Sequence, residues 1–253
     1  MNKLTAIVLT YNESEHIEAC LQTLTFADER IVFDSFSTDD TVQIAEAIGV
    51  RVIQHHFENF SAQRNAALEA VRDSTEWVLF VDADERVTDY LAQEVQTVIQ
   101  SDTYDGYQIP RHNYIFGKLT KGAGWYPDYQ TRLLKVGHAY YENLVHETVV
   151  LDGERGTLSH PFIHHNYKDL PHFLQTQRKY VRYDAQIMRD EGIKPKPQNY
   201  ILQPLRHFRW RFFQLQGFKE GWHGFRLSVL MAWYEFRKYW ILRQLWQEGT
   251  KSK

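Results

Sequence analysis

Cysteine is almost missing from this chain. Cys20 is the only one, so neither a disulfide framework nor a cysteine metal cluster can be built, which suits a reducing compartment. Long apolar runs are missing too: no uninterrupted stretch approaches the ~20 residues needed to span a bilayer. The apolar start at residues 4–9 is better read as a first strand than as a signal segment. These absences leave a soluble protein or one that lies on a membrane surface. The net charge is only -3, which argues against general nucleic-acid binding. No repeat or low-complexity tract is present. With 43% hydrophobic and 24% charged residues, the chain has enough apolar material for a full core and is not disordered.

What the chain does have is the run Trp77-Val78-Leu79-Phe80-Val81, which stops on Asp82 and Asp84. Five consecutive apolar residues predict a buried strand, and its carboxyl end is where open α/β sheets bind ligands. Residues two apart on a strand face the same way. Both carboxylates can then address one divalent cation, and the cation a diphosphate. The other reading of Asp-x-Asp is a plain turn.

Around that run, strands are predicted at residues 4–9, 30–33, 51–54 and 77–81, and helices from Asn12 or Ser14 to about 24, at 41–48 and at 61–71. Short alternation of this kind predicts an α/β fold whose mostly parallel sheet is flanked by helices. Function then belongs in the loops after strands one, two and four, which hold Thr10, Tyr11, Asn12 and Glu13, then Asp34, then Asp82 and Asp84. From 106 to 167 the pattern shifts to short segments with Gly, Pro and aromatics, more like an antiparallel or irregular region. Helical periodicity returns at 171–191. The run Gly192-Ile193-Lys194-Pro195-Lys196-Pro197 cannot continue that helix and marks a linker, with helices expected beyond it at 201–216 and 225–246.

In order along the chain stand Leu9-Thr10-Tyr11-Asn12-Glu13, Asp34-Ser35-Phe36-Ser37-Thr38-Asp39-Asp40-Thr41, Gln63-Arg64-Asn65-Ala66, Phe80-Val81-Asp82-Ala83-Asp84-Glu85, Arg132-Leu133, His146-Glu147 and the segment 217–225. Together they resemble a family 2 glycosyltransferase with the GT-A (nucleotide-diphospho-sugar transferase) fold, of the lipopolysaccharide-core type that adds glucose or a similar sugar. The resemblance implies a catalytic domain at 1–191, with a nucleotide-sugar half at 1–105 and an acceptor half at 106–170, and a C-terminal helical extension at 192–253. It implies that Thr10, Tyr11, Asn12 and Glu13 help hold the nucleotide and that Asp34 accepts from uracil or ribose, a UDP-sugar being the favoured donor. A turn or helix cap is the other reading of Asp34. Arg64 is expected to reach a phosphate, or else to lie on a solvated helix face.

The resemblance further implies that Asp82 and Asp84 hold Mg2+ or Mn2+, that a downstream histidine, His164 or His165, completes the metal site, and that Glu147 is the general base, with Glu85 and Glu142 as rivals. Histidines are more often structural, and glutamates more often merely solvated. One base and no second nucleophile implies inversion. Trp125, Tyr126, Asp128 and Arg132 fall in the expected acceptor pocket, where aromatic faces stack on sugars, although buried aromatics are more often core.

Between residues 205 and 246 there are eight basic residues against two acids, interleaved with aromatics. Basic aromatic helices of this kind lie in bilayer interfaces; packing on the rest of the protein or an oligomer contact is the alternative. The expectation is a hexosyl transfer to a lipopolysaccharide-core or lipid-linked saccharide, by a protein peripheral on the inner face of the cytoplasmic membrane. Two rivals stand beside it. A sugar-phosphate nucleotidyltransferase would want a Gly-rich basic loop after the first strand, which is absent, and a non-catalytic membrane adaptor would keep the fold without the chemistry.

Overall fold

The computed structural model describes residues 1–101, 103–142 and 148–251, the side chains of 249–251 excepted. His146 and Glu147 therefore lie outside the described residues. The first stretch runs β1 (Leu4–Thr10), α1 (Ile17–Gln22), β2 (Glu29–Asp34), α2 (Thr41–Ala47), β3 (Arg51–Gln54), α3 (Phe60–Ala70) and β4 (Trp77–Asp82). It continues through β5 (Glu85–Arg86), α4 (Asp89–Val98), β6 (Gly106–Ile115), β7 (Lys118–Leu119), β8 (Tyr129–Lys135), β9 (Ala139–Glu142), β10 (Thr148–Leu151), β11 (Arg155–Thr157) and β12 (Phe162–Tyr167). Helices close the chain: α5 (Leu170–Asp190), α6 (Asn199–Arg209), a π-helical turn (Trp210–Gln214), a 3-10 turn (Gly217–Glu220) and α7 (Trp222–Lys251).

The main sheet has the order β3-β2-β1-β4-β8-β6-β12-β5, with β7 and β11 each paired to β6. β1 to β4 pair in parallel, whereas β8 runs antiparallel to both β4 and β6. The α/β expectation holds: helical crossovers join the four parallel strands β1 to β4, and past β4 the pairing is mostly antiparallel, β11 beside β6 being a further parallel pair.

Strand alternation decides which helices cover which face. Ala6 and Val8 of β1 and Leu79 and Val81 of β4 join Ile17 and Leu21 of α1 and Leu91 and Val95 of α4 in one cluster. Ile7, Val78 and Phe80 point the other way, onto Ala67 and Leu68 of α3. Each Val, Leu, Ile or Phe so buried contributes about 1.5–3 kcal/mol, and the sheet is held from both faces. α3, α4 and α5 start where a side chain satisfies an orphan N–H: Asn59 accepts from Ala62, Thr88 from Leu91 and Asp169 from His172.

Two compact units result. The first comprises residues 1–112 and 128–164, the second 113–127 and 165–253. In the second, Phe173 of α5 packs with Ile115, Leu227 and Met231, and Ala185 with Tyr239 and Leu242. Helix α5 thus packs with the segment after Gly192. Residues 192–197 are non-helical, as the prolines require. The helix expected at 201–216 stops at Arg209 and turns on as a π-helix, while α7 outruns its expected limits at both ends. No helix among the described residues is long and apolar enough to cross a membrane.

Candidate active site

The parallel register sets the site. Leu9 of β1 stands beside Asp82 of β4, and Thr10 beside Asp34 of β2. The carboxyl ends of three neighbouring strands therefore deliver Thr10, Asp34 and Asp82 at one level.

Asp34 is fully buried. Its carboxylate accepts from Thr10 Oγ1 at 2.9 Å, Ser37 N at 2.8 Å, Ser37 Oγ at 2.5 Å and Gln54 Nε2 at 3.3 Å. Such a saturated anion orders the loop after β2. That loop is in turn zipped to the one after β1: Ser37 Oγ accepts from Asn12 N, Asn12 Oδ1 accepts from Thr38 N, and Thr41 Oγ1 accepts from Glu13 N, each at 2.8 Å. Asn12 adopts φ +59°, a left-handed conformation that Asn tolerates better than most residues. Tyr11 projects from this platform, exposed.

Asp82 is gripped from two sides. Arg64 Nη2 lies 3.2 Å from one oxygen and Arg132 Nη2 2.6 Å from the other. Both arginines are buried, and Arg64 stacks its guanidinium on Phe80 and Tyr141, 5.0 Å and 5.5 Å from the ring centroids. Burial works against the charge on Asp82, but Arg132 and Arg64 prevail and hold its carboxyl well below the usual range. Arg64 therefore faces inward onto β4.

Beneath Asp82 lies Glu85, also fully buried. Its carboxylate accepts from the Asp82 backbone N–H at 2.9 Å and meets Arg111 at 3.4 Å, while Arg111 pairs with Asp128 at 2.8 Å. Burial, then the Asp82 charge, pushes the Glu85 pKa up. Sequence reasoning missed Arg111. Its strand also holds Gln108, His112 and Asn113, so no local pattern marks Arg111 as the residue with an internal partner.

Asp84 faces a different neighbour, His164 of β12, whose Nε2 lies 3.2 Å from its Oδ2. Pairing of β12 with β5 sets His164 opposite Glu85, which places the ring near the Asp-x-Asp turn. Burial disfavours a charged ring, yet the Asp84 contact outweighs it and raises the His164 pKa. The next residue on the strand, His165, is exposed and rests by Tyr114, ring centroids 5.8 Å apart. Glu13 responds to the same negative charge: burial, then Asp84 and Asp82, raise its pKa to about 7.

Among the described residues no three His, Cys, Asp or Glu side chains gather as a metal-holding set. The Asp84–His164 pair nevertheless fits a divalent cation, because a carboxylate oxygen and an imidazole nitrogen are suitable donors and Mg2+ or Mn2+ usually takes its other ligands from water and phosphate. Asp82, with both oxygens committed to arginines, is placed to fix the turn. Of the expected acceptor residues, Asp128 and Arg132 are used in these ion pairs, and Trp125 and Tyr126 belong to the second unit.

Comparison with known proteins adds to this geometry. The description Glycosyl transferase family 2 matches residues 5–143. A protein of Rickettsia bellii named as an uncharacterized glycosyltransferase is 27% identical over 259 residues, 96% of this chain and 87% of that protein. The lipopolysaccharide core biosynthesis glycosyltransferase LpsC of Rhizobium meliloti is 24% identical over 247 residues, 92% of this chain and 89% of that protein. A crystal structure of S. aureus TarS 1-349 in complex with UDP-GlcNAc aligns with a TM-score of 0.48 at 14% identity, covering 98% of this chain and 92% of that one. That likeness is too loose to carry an argument.

Proposed function

The chain belongs to glycosyl transferase family 2, and from that premise we propose that it moves a hexose from a nucleoside-diphosphate sugar, UDP-linked by preference, to a saccharide of the lipopolysaccharide core or another lipid-linked acceptor. The observation that carries this reading is the turn after β4, where Asp82 is immobilised by Arg64 and Arg132 and Asp84 is left facing His164. The name of the LpsC relative supports this acceptor class, and an acceptor of that class would be met at the inner face of the cytoplasmic membrane.

Thr10, Tyr11, Asn12 and Glu13, on the platform ordered by Asp34, hold the nucleotide. Asp84 and His164 hold Mg2+ or Mn2+, which when bound neutralises negative charge on the departing diphosphate. Arg64 and Arg132 keep Asp82 ionised and in place, so the turn is set before substrate arrives. A glutamate takes the proton from the attacking hydroxyl as the glycosidic bond forms, with inversion at the sugar carbon. Glu147 is the leading base. Glu85 is enclosed by Asp82 and Arg111, and Glu142 is exposed beside the Tyr140 hydroxyl at 3.1 Å.

A panel of nucleotide sugars with and without Mn2+ tests the proposal by thermal stabilisation. One sugar nucleotide should raise Tm in a metal-dependent way in the native protein and much less in Asp84→Asn. Equal stabilisation of both proteins would refute the assignment.

A further inference from the structure

The helices beyond Gly192 turn much of their apolar surface outward. Along α7, Trp222, Phe225, Val229, Trp233, Phe236 and Trp240 recur every three or four residues and so share one helix face. At about 1.5 Å per residue the stripe is about 27 Å long. Trp222 is 75% exposed, Trp233 52% and Trp240 44%, so this is surface and not core. Helix α6 lies alongside, its Tyr200 against Phe236 and Trp240 and its Phe208 against Phe225. It adds Ile201, Leu202 and Leu205, all exposed. Contiguous apolar surface of this extent marks an interaction site.

Charge says with what. Between residues 199 and 246 the only acids are Glu220 and Glu235, and neither faces outward. Glu235 is buried and meets Lys238 at 2.7 Å, while Glu220 accepts from the backbone of Lys121 and Gly122 and pairs with Lys118. Arg206, Arg209, Lys219 and Arg243 are exposed. The result is an aromatic surface bordered by cations. A second copy of this chain would bring like charges together across a two-fold contact, whereas an anionic bilayer satisfies rings and cations at once.

We propose that the α6–α7 face docks this protein on an anionic phospholipid surface, with tryptophan rings at headgroup depth and arginines on lipid phosphates. This deepens the membrane-side reading given above and rests on it, but its test needs no turnover. Full-length Asp84→Asn protein, silent in transfer under the proposed function, is floated with phosphatidylglycerol-containing vesicles and with pure phosphatidylcholine vesicles. Binding is expected to the anionic vesicles only, weakened by salt, with tryptophan emission shifted to the blue.

Arg206→Gln and Arg209→Gln should each weaken binding by about fivefold, and Trp222→Ser, Trp233→Ser and Trp240→Ser together by about a hundredfold. These side chains are exposed, so unchanged circular dichroism and Tm check that the variants fold. Failure to float with anionic vesicles overturns the inference, as does an unaffected triple variant. A dimer in sedimentation equilibrium that the tryptophan substitutions dissolve would also overturn it, giving the face to a second copy. Native protein that transfers sugar without floating sinks the docking alone, and native protein that floats without transferring sinks the transfer alone.

Discussion

The two compact units handle charge and aromatic surface in opposite ways. The first turns ionised side chains inward and neutralises them there: Asp34 by hydroxyl, amide and backbone donors, Asp82 by Arg64 and Arg132, Glu85 by Arg111. The second keeps a stripe of aromatics and several arginines outside and has small cores, in which a few residues of α5 meet α7. The difference teaches that hydrophobic composition does not tell core from docking surface. What separates them is whether a partner layer exists to cover the stripe, and for α6 and α7 none does among the described residues.

The largest test of the contrast concerns the turn after β4. Asp84→Asn should lower metal-dependent transfer by about a hundredfold or more while changing thermal stability little, because Asn keeps a polar partner for His164 and chiefly the charge that would hold the metal is lost. Asp82→Ala should do something different: two buried guanidiniums lose their shared carboxylate, and urea unfolding should show a loss of about 3 kcal/mol. If Asp82→Ala unfolded like the native protein, the first unit would not depend on its internal charges.

pH should pull the units apart. In metal-free protein, Glu13, raised to about 7, and His164, also raised, bind protons more tightly folded than unfolded. Their contribution to stability therefore grows as pH falls through about 7. His207 runs the other way. Burial, then Arg211, lowers its pKa to about 4 against the pull of Glu235, with Lys238 and Arg206 acting with Arg211. The unfolded chain takes a proton there first, so stability is lost between about pH 6.5 and 4 by about 2 kcal/mol. Hydrogen exchange at successive pH values should show the first unit gaining protection and the second losing it, and His207→Gln should flatten the second trend. The smallest effect belongs to the exposed stripe: Trp233→Ser should change stability by no more than about 0.5 kcal/mol, whereas Trp77→Ala, in the buried strand, should cost about 3–5 kcal/mol.

Much of the first unit was readable in the chain, because apolar runs that end on polar residues at short spacing predict parallel strands with loops at their carboxyl ends. The positions of Asp34, Asp82 and Asp84 followed from that alone. The partners did not. Arg64 on α3 reads equally as a phosphate ligand or a solvated residue, and only the inward face of that helix shows it meeting Asp82. Arg132 and Arg111 come from strands far along the sequence, and pairing across such separations leaves no local pattern. In the second unit the aromatic-basic mixture was plain, but the outward direction of the stripe required the helices to be placed.

Arg211, in the π-helical turn, donates to the Ala123 carbonyl at 2.5 Å, Leu215 O accepts from Ala123 N at 2.8 Å, and the Thr120 hydroxyl lies 2.9 Å from a ring nitrogen of His223. Gly124, at φ +82°, presses so close that an added Cβ would stand 2.7 Å from Leu215 Cδ1. A chain shortened to residue 191 would strip the scaffolding from the 113–127 excursion, leave Ile115 and Phe173 wet, and yield a fragment whose inactivity would say nothing about the chemistry of the turn after β4.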